Sequence, residues 1–304
     1  MDYTTAKLID DIKRRILVPD SNGLFTDAQM VAFANDELHN YIVPKLKGIN
    51  EEYYVTYTDT AVSTTTKRYS IPTSAVGMTL RDVVFVNTDD VLTNIPRLSY
   101  EKISSWNGVD NLGFYIEDDE IVLTDYPSDT SLSLRMYYER RPNVLVETSA
   151  CGQIVSINPS TNELQLSNVP FGWVAGTSLC AISNTPMFHA KQEATAILTI
   201  STPTIGITDV TGLVVGDWIA LEGETPIPQI PVEGMSFLAQ ASLTKMLFAM
   251  GDGSVKVAKE DLNELEENFI SLLTPRVTGQ VQKLTNHNSL LKARSNRSHR
   301  NDRI

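Results

Sequence analysis

Four histidines, two cysteines and one run of four acids are the residues of this 304-residue chain whose types could do chemistry. His39, His189, His287 and His299 lie in four separate segments. None has a second His at i+3 or i+4, or a cysteine at ligand spacing, as a transition-metal site needs. Cys151 and Cys180 are too few for a disulfide framework and read as free or buried thiols of a reducing compartment. Glu117-Asp118-Asp119-Glu120 groups carboxylates as a hard cation requires, yet FYI before it and IVL after it make it the polar turn of a hairpin. Gly216-Asp-Trp218 and Gly251-Asp-Gly253 lack the Lys-Ser/Thr sequel of a phosphate loop. No Gly-x-Ser-x-Gly elbow occurs, and no His is placed to serve a nucleophile. No catalytic residue, metal site or cofactor is assigned, and the chain is expected not to be an enzyme. Tyr53, Tyr54, Tyr57, Tyr137 and Tyr138 could present a carbohydrate- or protein-binding face; alternating strand aromatics more ordinarily serve as half-buried sheet residues.

Charge is more informative. The net charge is −12, but from Arg276 onward there are Arg276, Lys283, Lys292, Arg294, Arg297, Arg300 and Arg303 against Asp302 alone, a balance of +6. The other 275 residues keep 18 basic against 36 acidic groups, a balance of −18. Residues 276–304 have little to bury, so they form either a solvated terminus or a docking arm that orders on a partner. Fully extended at roughly 3.3 Å per residue, the arm reaches at most about 95 Å.

The elements that carry these residues alternate in texture. Phe25 to Leu46 predicts the best-defined helix: Thr26 and Gln29 make a capping box, Phe25 can staple onto Met30, and Met30, Phe33, Ala34, Leu38, Tyr41 and Ile42 recur at helical spacing, with Asp27, Asn35, Asp36 and Asn40 off the stripe. Pro44 predicts a kink or early stop. Residues 3–17 predict a first helix burying Leu8, Ile9, Ile12 and Ile16 and stopped by Pro19, with the two helices packed as an antiparallel pair. From about 52 to 140, short aromatic and β-branched runs predict an antiparallel sheet or sandwich, with one or two helical turns over Ser99 to Trp106. A second β-rich block from Gly152 to about Glu224 carries a weak repeat. Ile154-Val-Ser-Ile157, Val174-Ala-Gly176, Leu179 and Thr185-Pro186 return as Ile197-Leu-Thr-Ile200, Val214-Val-Gly216, Ile219 and Thr225-Pro226, as for two halves of a small barrel. Helices resume after Pro231. One buries Phe237, Leu238, Ala241, Met246, Leu247 and Met250 and is capped by Gly251. The next buries Leu262, Leu265, Phe269, Leu272 and Leu273 and ends at Pro275.

The fold class expected is α+β: a discontinuous antiparallel helical bundle with an inserted β-sheet domain, a second small barrel-like insertion and an extended C-terminal arm. The segments are 1–50 and 231–275 for the bundle, 51–147 and 148–230 for the insertions, and 276–304 for the arm. The candidate bundle core is Ile12, Phe33, Leu38, Leu247, Leu265 and Phe269. No run of 18 apolar residues suggests a membrane span.

LIDDIKRR (Leu8 to Arg15), FTDAQMVAFANDEL (Phe25 to Leu38) with IVP (Ile42 to Pro44), RYSIP (Arg68 to Pro72), YERRP (Tyr138 to Pro142), VGDWIA (Val215 to Ala220) and LLTPRVTGQVQK (Leu272 to Lys283) resemble the head-to-tail adaptor (connector) proteins of tailed bacteriophages, those of short-tailed phages in particular. The resemblance implies a structural virion protein, made in the host cytoplasm and placed at the capsid–tail junction. It implies a ring of twelve copies beneath the portal protein, with C-terminal arms on the portal, other tail proteins as neighbours, and a channel for DNA in transit to ejection. The block 148–230 and the long tail depart from shorter members of that family. The alternative is a tail- or fibre-associated protein whose β insertion recognises a glycan or another tail component.

Overall fold

The computed structural model describes residues 3–15, 25–105, 112–128 and 130–274. Residues 1–272 make up one compact unit, and a second begins at Leu273. The expected positions of Ile16, Pro19, Trp106 and Pro275, and the whole arm, lie outside the described residues.

Helix α1 (Thr5–Arg15) buries Leu8, Ile9 and Ile12. Helix α2 (Asp27–Glu37) opens on the capping box: Gln29 N donates to Thr26 Oγ1 at 3.2 Å and Thr26 N donates to Gln29 Oε1 at 2.9 Å. Phe25 lies edge-on to Phe33, 5.5 Å away. The helix does not run on unbroken. Leu38–Ile42 is a π-helical turn in which Val43 N bonds to Leu38 O, and α3 (Val43–Ile49) follows. The wider turn puts Pro44 in the first turn of a new α segment, where its missing N–H leaves no bond unmade. The chain therefore continues helically to Ile49, past the expected end at Leu46.

The first β region contains β1 (Val55–Ala61), β2 (Arg68–Ser70), β3 (Ala75–Val86), β4 (Leu92–Asn94), β5 (Phe114–Glu117), β6 (Glu120–Leu123) and β7 (Ser133–Arg140). One sheet runs β1-β7-β3-β4 and the other β2-β6-β5. Strand alternation explains how they face each other: Leu134, Met136 and Tyr138 of β7 and Val83 and Phe85 of β3 share one core with Tyr69, Phe114, Ile121 and Leu123. A 3-10 helix at Tyr100–Ser105 crosses between the strands.

The short β8 (Val144–Leu145) leads to β9 (Gly152–Asn158), β10 (Glu163–Leu166), β11 (Ser178–Ile182), β12 (Ala190–Ser201), β13 (Thr204–Ile207) and β14 (Trp218–Leu221). The last six close into a barrel of order β10-β13-β12-β11-β14-β9. The sequence repeat is an approximate two-fold in this barrel. Gly176 of the first half donates to Ile197 O of the second at 2.8 Å, and Gly216 of the second donates to Ile154 O of the first at 2.9 Å. Ile197 N to Thr177 O, 2.9 Å, is likewise answered by Ile154 N to Asp217 O, 2.8 Å. Ile154, Leu179, Ile197 and Ile219, the paired positions of the repeat, are all buried in the barrel core.

After β15 (Glu224–Thr225), which pairs in parallel with β8, come α4 (Met235–Met250) and α5 (Val255–Leu273). Helix α4 is buried on nearly every side, from Met235 through Leu247, because α1 and α2 both pack on it. The expected pairing of the first two helices with each other is thus the lesser contact. Gly251 caps α4 at φ +68°. Helix α5 buries Ala258, Leu262 and Phe269, with the Phe237 and Phe269 rings 5.3 Å apart. Leu272, expected on that stripe, is 67% exposed.

Candidate interaction surface

The chemistry-bearing residues do not converge. His39 sits in the π turn, and its Nε2 is buried without a hydrogen-bond partner. Burial and the nearby Arg141 lower its pKa. His189 ends the β11–β12 connection and lines the cavity formed with Tyr53 and Tyr54, and burial, Arg140 and Lys191 lower its pKa. Cys151 and Cys180 are buried and unbridged. Cys180 Sγ donates to the carbonyls of Leu221 and Glu224 at 3.2 Å and receives Asn143 Nδ2 at 3.3 Å. Burial pushes its thiol up to about 11, which leaves it a poor nucleophile. The acid run forms the turn of the β5–β6 hairpin, and Arg68 spans it to Glu117 at 2.5 Å and Glu120 at 2.9 Å. Among the described residues no group of three or more His, Cys, Asp or Glu is placed to hold a metal ion.

The five tyrosines divide three ways. Tyr138 points into the sandwich core. Tyr57 and Tyr137 stand on the opposite face, 5.8 Å apart, with the Arg135 guanidinium 4.1 Å from the Tyr57 ring centre. Asp59 grips that guanidinium at 2.7 and 2.8 Å. Tyr53 and Tyr54, edge to face at 5.0 Å, line a cavity of about 320 Å³ with Pro142, Met187 and Ala190. These tyrosines therefore form no single aromatic face for a sugar to stack on.

That cavity lies where the start of β1, the chain after β7 and the β11–β12 connection meet. Gln229 ties these together: its Nε2 donates to Phe188 O at 2.9 Å, its Oε1 accepts Asn143 N at 2.6 Å, and its carbonyl accepts Tyr54 OH at 3.2 Å. The wall contains Met187, and with Phe188 it forms a left-handed pair at φ +88° and +46° that only a tightly determined environment holds in place. Arg140 is held by Glu193 at 2.8 Å, while Arg141 is exposed to solvent.

Of the candidate bundle-core residues, Ile12 and Leu38 are fully buried, Phe269 and Leu247 are buried, and Phe33 and Leu265 are half-buried. Arg276, Lys283, Lys292, Arg294, Arg297, Arg300 and Arg303 lie outside the described residues. Sequence reasoning missed Asn35. Its amide donates to Leu145 O at 2.9 Å and accepts Leu145 N at 2.7 Å, pairing with β8 as a strand would. It also missed the cavity, whose parts are far apart in the chain.

The geometry defines a two-sheet β region and a duplicated six-stranded barrel carried on helices from both ends of the described chain. The family model of the SU10 adaptor protein matches residues 3–169, from α1 through β10 and more than half of the chain. The chain belongs to the SU10 adaptor protein family and is a phage head-to-tail adaptor of the short-tailed type. No curated protein matches it. None of the described helices is long and apolar enough to cross a membrane.

Proposed function

We propose that copies of this chain form a twelve-membered ring beneath the portal, joining capsid to tail and prolonging the channel through which DNA passes. The observation that carries this reading is the separation of charge: a body at −18 and a terminal arm at +6. Like charge keeps DNA from adhering to the wall of such a channel. The basic arm seeks an acidic groove on its neighbour, and twelve modest contacts hold together through effective concentration. The block 148–230 belongs to the same assembly as an attachment point for another tail component.

Co-sedimentation with the portal ring of the same phage tests the arm. The full chain should travel with the portal at low salt and release as salt rises, and the chain ending at Pro275 should stay behind. Equal binding by both forms would remove the arm from the assembly.

A further inference from the structure

The two halves of the barrel are one structure built twice, so each half is a control for the other. The loop from β10 to β11 turns at Gly172, φ +97°, and the loop from β13 to β14 turns at Gly212, φ +78°. Trp173 N donates to Pro170 O in the first, and Leu213 N donates to Val210 O in the second. The residue before the glycine is Phe171 in one half and Thr211 in the other. The turn therefore forms with threonine, and the fold has no need of the aromatic ring. Phe171 nonetheless stands fully exposed, at 107% of its reference area; Val174 and its twin Val214 are both exposed, so the aromatic ring is what sets the first loop apart. An apolar side chain left in water forgoes a favourable burial. A lone aromatic at a loop tip recovers it only when something covers it.

The surroundings indicate what does. Residues 164–190 contain no Asp, Glu, Lys or Arg, in a chain that is 20% charged. An aromatic anchor in a charge-free setting is the composition of an interface centre. Much of that run is buried, but the residues it exposes around Phe171 (Ser167, Asn168, Gly172, Val174, Ala175 and Gly176) are uncharged, so this loop lets two copies of a strongly acidic body meet without repulsion. The same chain carries a receptacle, the cavity of about 320 Å³ walled by Tyr53, Tyr54, Pro142, Met187 and Ala190. Tyrosine edges and a methionine thioether both pack well on an aromatic ring, and the exposed Arg141 adds a cation to stack on it.

We propose that Phe171 of one copy inserts into the Tyr53–Tyr54–Met187 cavity of a second copy. Knob and cavity are different patches, so the contact is heterologous: every copy uses both, and the chain of contacts closes into a ring when the rotation closes. This rests on the reading that copies assemble with one another.

Disulfide trapping tests it on the full chain carrying Phe171→Cys with Met187→Cys, oxidised alone and on the portal ring. The native thiols are buried and remain silent. The expected result is a ladder of covalent oligomers beyond the dimer, which neither single-cysteine variant gives. Phe171→Thr, the residue its own twin tolerates, should weaken self-association about tenfold or more while Thr211→Ala leaves it unchanged. Density beneath the portal without a ladder overturns this contact and leaves the ring reading standing; absence of both overturns both. Capture of the thiol of the Phe171→Cys variant by another tail protein, or undiminished association of Phe171→Thr, also overturns the contact.

Discussion

Asp217 holds, in the second half of the barrel, the position that Thr177 holds in the first. Both cap the same turn: Val174 N donates to Thr177 Oγ1 at 3.3 Å, and Val214 N donates to Asp217 Oδ2 at 2.9 Å. The carboxylate has taken on more. It is fully buried, faces Lys191 Nζ at 2.7 Å and accepts Asn184 N at 3.2 Å. Asp217→Ala removes the buried acceptor shared by Val214 N, Asn184 N and the part-exposed Lys191 and should cost about 2 to 3 kcal/mol, whereas Thr177→Ala loses one ordinary hydrogen bond worth about 1 kcal/mol. Chemical denaturation of the two variants compares them, and equal costs would refute the distinction. At the same scale, burial first and Arg141 second hold the His39 pKa below 6.5. The unfolded chain then takes up the proton before the folded one. The stability contributed by neutral His39 is complete above 6.5 and is lost as pH falls through that value towards the folded pKa. The melting temperature should drop between about pH 7.5 and 5.5, and His39→Gln should flatten part of that slope, His189 carrying the same sign. An unaltered slope in the variant would show that His39 is not the group responsible.

Local rules reach as far as the elements. The capping box at Thr26, the αL cap at Gly251 and the alternation of β7 are each decided within a few residues, so spacing reveals them. The barrel repeat was legible because each half must make its own strands and turn from its own sequence. What spacing could not show is what distant chain imposes. Helix α4 lost its stripe because α1 and α2 both pack on it and bury most of its first three turns, and Asn35 left the solvent side because β8 presents an edge to it. The π turn arises where Pro44 and the packing of Leu38 and Ile42, both fully buried, must be satisfied together. The helical contacts make a graded prediction. Leu38→Ala and Phe269→Ala each empty a buried site and should cost roughly 2 to 5 kcal/mol, the range for such cavities. Leu265→Ala, half-buried, should cost under about 1 kcal/mol. Urea titration distinguishes them, and similar losses at all three would mean that α5 is buried more evenly than its exposure indicates. Glu266 joins the same contact from outside, receiving Tyr41 OH and Lys45 Nζ.

At the scale of the molecule, the sequence divides into an acidic body and a basic terminus, and family membership makes the whole a phage adaptor. Residues 276–304 are polar and basic with little to bury, so ending the chain at Pro275 should leave the melting temperature within about 2 °C of the full chain. A large drop would mean that residues 276–304 complete the core. The ring itself is put to the test by electron microscopy of the full chain mixed with the portal ring of the same phage. Added density beneath the portal, with the portal's own symmetry and absent when the chain ends at Pro275, is the expected result. A bare portal, or density of a different symmetry attached elsewhere on the particle, would contradict it.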